Sequence, residues 1–230
     1  MNQSKIAVIT GAGRGLGEGM ARHLTQAGVT VIGTSRDSDL LPLDVRRTET
    51  YPAFRTALEA RLGGAKVDFL INNAGIGVYA AFEETTVEQF DDLVDTNLKA
   101  PFFLTQSLLP LMNDGGRVLN VTTAITRGVV PGMSAYAAVK GAIEVLTRYQ
   151  AVELAARSIR VNAIMGGAAE TGFAGGIMRS DRVKELAAHT IAQGRIAGVD
   201  DITAAVPAIL SDAFQWATGS IIDLSGGQSL

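Results

Sequence analysis

The sequence contains no cysteine. That excludes disulfides, thiolate nucleophiles and cysteine-based metal sites. Histidine is almost as scarce: His23 and His189 stand far apart without clustered carboxylates, which is no pattern for a metal centre. No apolar run reaches the roughly 18 residues of a membrane span, and the opening "MNQSKIAVIT" lacks the basic start, apolar middle and small-residue cleavage site of a signal peptide. The expectation is a cytoplasmic protein with no membrane partner. Twenty Lys+Arg against 23 Asp+Glu give a net charge of -3. The scattered cations form no basic stripe for a phosphate backbone, so nucleic acid is not an expected partner either.

What is present is apolar residue and glycine: 47% hydrophobic residues and 26 glycines in 230, with 19% charged. This is globular composition, and the length suits one α/β domain spanning 1–230. Short β-branched runs at 5–10, 29–34, 67–72, 117–122, 159–164 and 219–224 alternate with helical patterns. Most runs are apolar on both faces, as parallel strands covered by helices on each side must be. The fold expected is a Rossmann-like, doubly wound parallel sheet with helices on both faces. Helices are predicted over 16–27, 87–98 and 134–156, the second opened by a capping box in "TTVEQF", where Thr85 or Thr86 precedes Glu88 or Gln89 by three. The glycine-punctuated stretch 166–198 breaks the rhythm and is expected to form a substrate loop or lid.

Directly after the first strand comes "TGAGRGLGEGM". A strand, a glycine turn and a helix start bring backbone N–H groups close to a pyrophosphate, and side chains beyond hydrogen would block that approach. The spacing is Gly11, Gly15 and Gly17, with Leu16 where the commonest fingerprint has its third glycine. The same turn also serves to pack a helix on a strand. At the end of the second strand, where an acidic residue would take the ribose 2'-OH of NAD, the chain offers Ser35 and Arg36. With Arg14 in the turn, they suit a 2'-phosphate and hence NADP(H) over NAD(H). An ordinary solvated arginine is the other reading of Arg36.

In "MSAYAAVKG" Tyr136 and Lys140 are four apart, on one helical face roughly 5 to 6 Å from each other. A neighbouring ammonium favours phenolate and so lowers a tyrosine pKa toward neutral, making Tyr136 a general acid/base. Spacing alone equally fits a core tyrosine beside a Lys140-Glu144-Arg148 charge row. Gly141 is expected to permit close packing.

The whole chain, however, resembles the short-chain dehydrogenase/reductase family, through "TGAGRGLG", "NNAG" at 72–75, Asn97 in "DTNLKAPFF" and the Y-x-x-x-K of "YAAVK". The resemblance implies that Tyr136 exchanges the carbinol proton, that Lys140 binds the nicotinamide ribose and lowers the Tyr136 pKa, and that Asn97 supports a relay water. It also implies that Asp44 and Val45 lie at the adenine and Asn73, Ala74 and Gly75 along the cofactor ribose. Thr171 falls where the family holds the carboxamide, and Gly167 is expected among the cofactor-binding residues.

Three departures stand out. Thr123 occupies the place of the usual serine, keeping a hydroxyl for the substrate carbonyl but adding a methyl. Gly166 stands for a proline and Ser225 for an aspartate, both expected to loosen the surrounding loops. Tyr79, Phe82, Phe173 and Met178 are expected at the pocket border. The four-residue Tyr-Lys spacing argues against enoyl reductases of similar fold.

Apolar residues around most of helix 134–156, and in "APFFLTQSLLPLM", predict self-association, for which the resemblance implies a tetramer. The expected activity is hydride transfer between NADP(H) and a ketone or secondary alcohol, the small-molecule substrate. The alternative is a non-catalytic dinucleotide-binding sensor or scaffold.

Overall fold

The run "IAVI" is buried on both sides, and its neighbours show why. In the computed structural model, which describes residues 4–36, 39–173, 185, 187 and 189–230, β1 (Ile6–Ile9) lies between β2 (Thr30–Ser35) and β4 (Val67–Asn72). Outside these come the two-residue β3 (Leu41–Pro42), then β5 (Met112–Thr123), β6 (Arg160–Gly166) and β7 (Ile221–Leu224). The order is β3-β2-β1-β4-β5-β6-β7, with every pair parallel. The doubly wound sheet expected from the sequence is therefore present. Only β3 was not foreseen, because two residues carry no readable period.

Strand side chains alternate between two cores. Val8, Leu70, Val118 and Val161 face one way and pack with Leu58 of α2 (Tyr51–Leu62) and Leu104 of α4 (Ala100–Leu108). Ile9, Ile71, Leu119 and Ile164 face the other way, onto Met20 and Leu24 of α1 (Gly15–Gln26) and onto the short α6 (Val199–Thr203) and α7 (Val206–Ile209).

A set of polar side chains also crosses the first face. Asn72 donates to Thr105 and to Asn120, and Asn120 donates to Thr147 and Gln150 of α5 (Ser134–Glu153), over 2.8 to 3.2 Å. Each of these amides is buried and partnered, so the network clamps α4 and α5 to the sheet without stranding a polar group.

The chain runs β1 to β3 toward one edge, then returns to lay β4 beside β1. The strand order reverses between them, and a crevice at the carboxyl ends of such strands is where open α/β sheets bind ligands. The capping box forms on Thr86 and Gln89 at the start of α3 (Val87–Val94). The predicted helix to residue 98 in fact widens into a π-helical turn over Asp95–Lys99 before α4.

Phe90, Phe102, Phe103, Val145, Tyr149 and Val152, on α3, α4 and α5, are exposed. Gly141, expected to permit close packing, has open space beside it within the chain. Among the described residues no helix is long and apolar enough to cross a membrane. Met178 and the middle of the expected 166–198 loop lie outside the described residues.

Candidate active site

The glycine turn joins β1 to α1 at the strand-order reversal. Gly11 and Gly15 adopt positive φ (65° and 59°), a region that costs a side-chained residue. A Cβ on Gly17 would overlap the Gly11 carbonyl oxygen, and one on Gly11 would lie 3.0 Å from the Ala74 Cα. Arg14 is extended at the N-cap and its side chain caps nothing, so the first N–H groups of α1, at Gly15, Leu16 and Gly17, are not taken by a side chain. The turn is thus a cradle that a methyl group would fill, at a helix N-terminus that favours an anion.

Asn73 fastens the far wall. Its amide donates to the Thr10 and Gly11 carbonyls at 2.9 and 3.2 Å, while the backbone N–H groups of Asn73 and Ala74 both donate to the Thr10 hydroxyl. Ala12 donates to the Thr34 carbonyl, which sets the turn beside Ser35 and the exposed Arg36 at the end of β2. Asp44 follows β3; two hydrogen bonds from the Arg46 guanidinium, with a smaller pull from Arg36, hold its carboxyl below the ordinary range. Val45 is buried beside it, its carbonyl accepting from the Tyr51 hydroxyl.

Asn97 sits in the π-helical turn and is fully buried. Such turns are often found at functional sites, because they displace backbone groups from the regular ladder. Its side chain holds Ile76 from both sides, donating to the carbonyl at 3.0 Å and accepting from the N–H at 3.1 Å. A Cβ on Gly75 would come 2.9 Å from the Asn97 Oδ1 and 3.7 Å from the Lys140 Nζ, so only glycine lets β4's loop pass between them.

Tyr136 and Lys140 are 6% and 5% exposed on the inner face of α5. The Lys140 Nζ donates to the Val121 carbonyl at 2.9 Å and lies 5.9 Å from the Tyr136 ring centroid. Glu144 accepts from Thr122 at 3.0 Å and from Thr126 at 2.6 Å. The first two members of the Lys140-Glu144-Arg148 row thus face inward and bind β5 and the turn after it. Those two threonines bracket Thr123 at the end of β5, and its side chain accepts weakly from the Ile125 N–H at 3.5 Å.

The electrostatics correct one expectation. Burial raises the Tyr136 pKa well above its ordinary 10, and the influence acting the other way is the Thr123 hydroxyl, not Lys140. Burial itself pushes Lys140 down, to about 8. The spacing rule supplied the neighbour correctly but not its environment. Both groups sit where desolvation, the penalty on the charged form, outweighs their mutual effect.

Phe173 packs on Tyr136, with ring centroids 5.5 Å apart, and over Gly77, where a Cβ would meet the ring at 2.5 Å. Tyr79 covers Gly132, and Phe82 is exposed beside an open apolar hollow of about 500 Å³ lined by Ile125, Val129 and Met133. Thr171 packs beside Gly15, and its hydroxyl accepts from the Phe173 N–H.

Gly166 is not loose. It is the last residue of β6, paired with Thr123 on one side and Leu224 on the other. Ser225 is buried, its hydroxyl accepting from Arg127 and from the Gln228 N–H. The softening expected at both substitutions is countered by contacts that the family pattern did not suggest.

A parallel sheet with a glycine cradle at its reversal point, and a phenol and ammonium buried alongside, places the chain in the doubly wound α/β class. The chain belongs to the short-chain dehydrogenase/reductase family. A family model described as enoyl-(acyl carrier protein) reductase matches residues 11–229. The L-xylulose reductase of Bos taurus is 32% identical, with 96% of this chain and 95% of that protein covered. Among solved structures, a 3-ketoacyl-(acyl-carrier-protein) reductase from Brucella melitensis complexed with NADH superposes with a TM-score of 0.89 at 30% identity, covering 99% of each chain. A RhlG/NADP active-site complex from Pseudomonas aeruginosa superposes at 0.92 and 26% identity, covering 100% of this chain and 98% of that one.

Proposed function

We propose that the chain transfers hydride between NADP(H) and a ketone or secondary alcohol. The observation that carries this reading is the convergence of Tyr136, Lys140, Thr123 and Asn97 at the carboxyl ends of β4 and β5, beside a cradle closed to any residue but glycine. The cradle fits a dinucleotide. In this reading Gly11, Gly15, Leu16 and Gly17 hold the pyrophosphate, Arg14 with Ser35 and Arg36 the 2'-phosphate, Asp44 and Val45 the adenine, and Asn73, Ala74 and Gly75 a ribose. Lys140 holds the nicotinamide ribose, and Gly167 and Thr171 the carboxamide. When bound, the nicotinamide supplies or accepts the hydride.

The chain's own residues do the rest. Tyr136, kept neutral by burial, is in the form that donates a proton to a developing alkoxide. Thr123 fixes the carbonyl oxygen toward it. Asn97 acts by holding the Gly75–Ile76 backbone beside Lys140. Although the matching family model is described by an enoyl reductase, the one-turn spacing of Tyr136 and Lys140 supports carbonyl chemistry.

Screening ketones and secondary alcohols by nicotinamide absorbance tests the reading. Turnover supports it; cofactor binding with no turnover by any compound would support a sensor or scaffold instead. Thr123→Ala should lower kcat by about 10²-fold, while Thr123→Ser stays within about threefold of wild type. An unchanged alanine variant would remove the hydroxyl from the reaction.

The preference for NADP(H) rests on Arg14 and Arg36 and on Ser35, which closes β2 at the place where an acidic residue would take the ribose 2'-OH. Arg36→Ala is expected to weaken NADPH binding about tenfold and leave NADH binding nearly unchanged, read by fluorescence titration. Equal affinities of the wild type for the two cofactors would refute the preference. The exposed aromatic and aliphatic face on α3, α4 and α5 supports a homo-oligomer, a dimer or tetramer. Light scattering that returned a monomer mass would overturn that assembly.

A further inference from the structure

The last residues of the chain reach back between two loops of the site. Arg127, in the loop after Thr123, forms an ion pair with Asp223 at 2.8 Å and donates to the Ser225 hydroxyl at 3.2 Å and the Gln228 carbonyl at 3.1 Å. The Gln228 side chain then turns the other way: its Oε1 accepts from the Ala168 N–H at 2.7 Å, in the loop after β6. Gly128 and Gly167 show how close the approach is. A Cβ on the first would overlap the Ser229 hydroxyl, and a Cβ on the second would lie 2.7 Å from the Ser225 carbonyl. Gln228 also pairs with Ile191 in an antiparallel bridge. The tail thus sits on three segments at once, two of them carrying residues assigned to the site.

We propose that Gln228 is a positioning residue, which sets the Gly167–Phe173 loop against the glycine cradle through its hydrogen bond to Ala168. The inference rests on the functional reading above, in which Gly167 and Thr171 hold the nicotinamide end of the cofactor. Beyond Gly166, where pairing with β5 and β7 ends, the backbone anchor of that loop is a parallel bridge of Ala169 with Ala197, with Glu170 N–H donating to the Ala197 carbonyl and Ala197 N–H to the Ala168 carbonyl at 2.9 Å each, and Gln228 adds the side-chain anchor one residue before it. The next N–H but one, at Ala168, is the first taken by a side chain, and three residues later Thr171 packs beside Gly15. Gln228 thereby does for this chain part of what proline does at position 166 in the family pattern: it limits the loop's freedom, from outside instead of from within.

The bond uses only the acceptor of the amide, so a carboxylate can replace it and an apolar isostere cannot. The test compares Gln228→Leu with Gln228→Glu in the full chain. Amide hydrogen exchange should accelerate at Ala168–Phe173 in Gln228→Leu, by roughly five- to tenfold, and return toward wild type in Gln228→Glu. The Kd for NADPH should rise by a similar factor in the leucine variant and recover in the glutamate variant, with kcat at saturating cofactor little changed. Unchanged exchange in Gln228→Leu would overturn the proposal, as would equal damage in both variants, which would indicate packing alone. A wild-type chain that binds neither NADPH nor NADH would instead overturn the functional reading, and the exchange rates would still decide the role of Gln228.

Discussion

Tyr136→Phe should lower kcat by about 10²- to 10⁴-fold while cofactor affinity stays within about twofold. The substitution removes one oxygen and nothing else. The ring keeps its place among Leu93, Met133 and Val139 and against Phe173, so the cluster that seats it is unaltered. Stability should fall only slightly, since the buried hydroxyl gives up its contact with the Thr123 hydroxyl while the ring packing is kept. Lys140 keeps its bond to the Val121 carbonyl, made through the main chain of β5 and independent of the phenol. Steady-state kinetics beside a cofactor titration separate the two quantities. A variant retaining more than about a tenth of wild-type kcat would take Tyr136 out of proton transfer.

Lys140→Met should give an unusual pairing, a chain that is more stable without cofactor and nearly inactive with it. Burial places the Lys140 pKa near 8 in the folded chain, against 10.5 for a free lysine. The sign follows from proton counts. Below about 8 both states carry the proton, and the folded state bears the full cost of a desolvated ammonium. From about 8 to 10.5 the unfolded chain holds more protons, so wild-type stability rises with pH across that window. Methionine removes the cost, raising stability at neutral pH by about 1–3 kcal/mol and flattening that rise. Tyr136, displaced upward, works in the opposite direction only above its ordinary 10, where an unfolded phenol ionises first. Thermal melts of both proteins between pH 7 and about 9.5 therefore read Lys140 alone. Turnover should fall by about 10²-fold or more, since the variant has no ammonium to fix the cofactor or face the phenol. A variant less stable than wild type at pH 7 would mean that the Val121 bond outweighs the desolvation.

The strands were legible because a parallel sheet buried on both faces leaves uninterrupted apolar runs, and "VDFLIN" at 67–72 became β4 without a residue's change. The glycine cradle was legible for a related reason: backbone contact too close for a Cβ leaves its mark in the residue type itself. What Glu144 binds was not legible, because helical spacing cannot say what stands opposite a helix; the threonines that bind it lie on and just after β5, 22 and 18 residues earlier. Gln228 escaped altogether. Its partner Ala168 is 60 residues away, and no local pattern marks a side chain that acts through a distant N–H group. Solvation of the Tyr136-Lys140 pair was likewise beyond reach, since four-residue spacing fixes separation and says nothing about how much water remains.

The amides beneath the site constrain how this sequence can change. Asn72, Thr105, Asn120, Thr147 and Gln150 form a chain in which the Asn72 and Asn120 amides each donate to two neighbours, and the acceptors they use are these side chains. Converting any one member to an apolar residue strands the others, so single steps are penalised where a joint replacement need not be. Across homologous chains these five positions should therefore drift as a block, switching together between a polar set and an apolar one, while the aliphatic residues around them exchange one at a time.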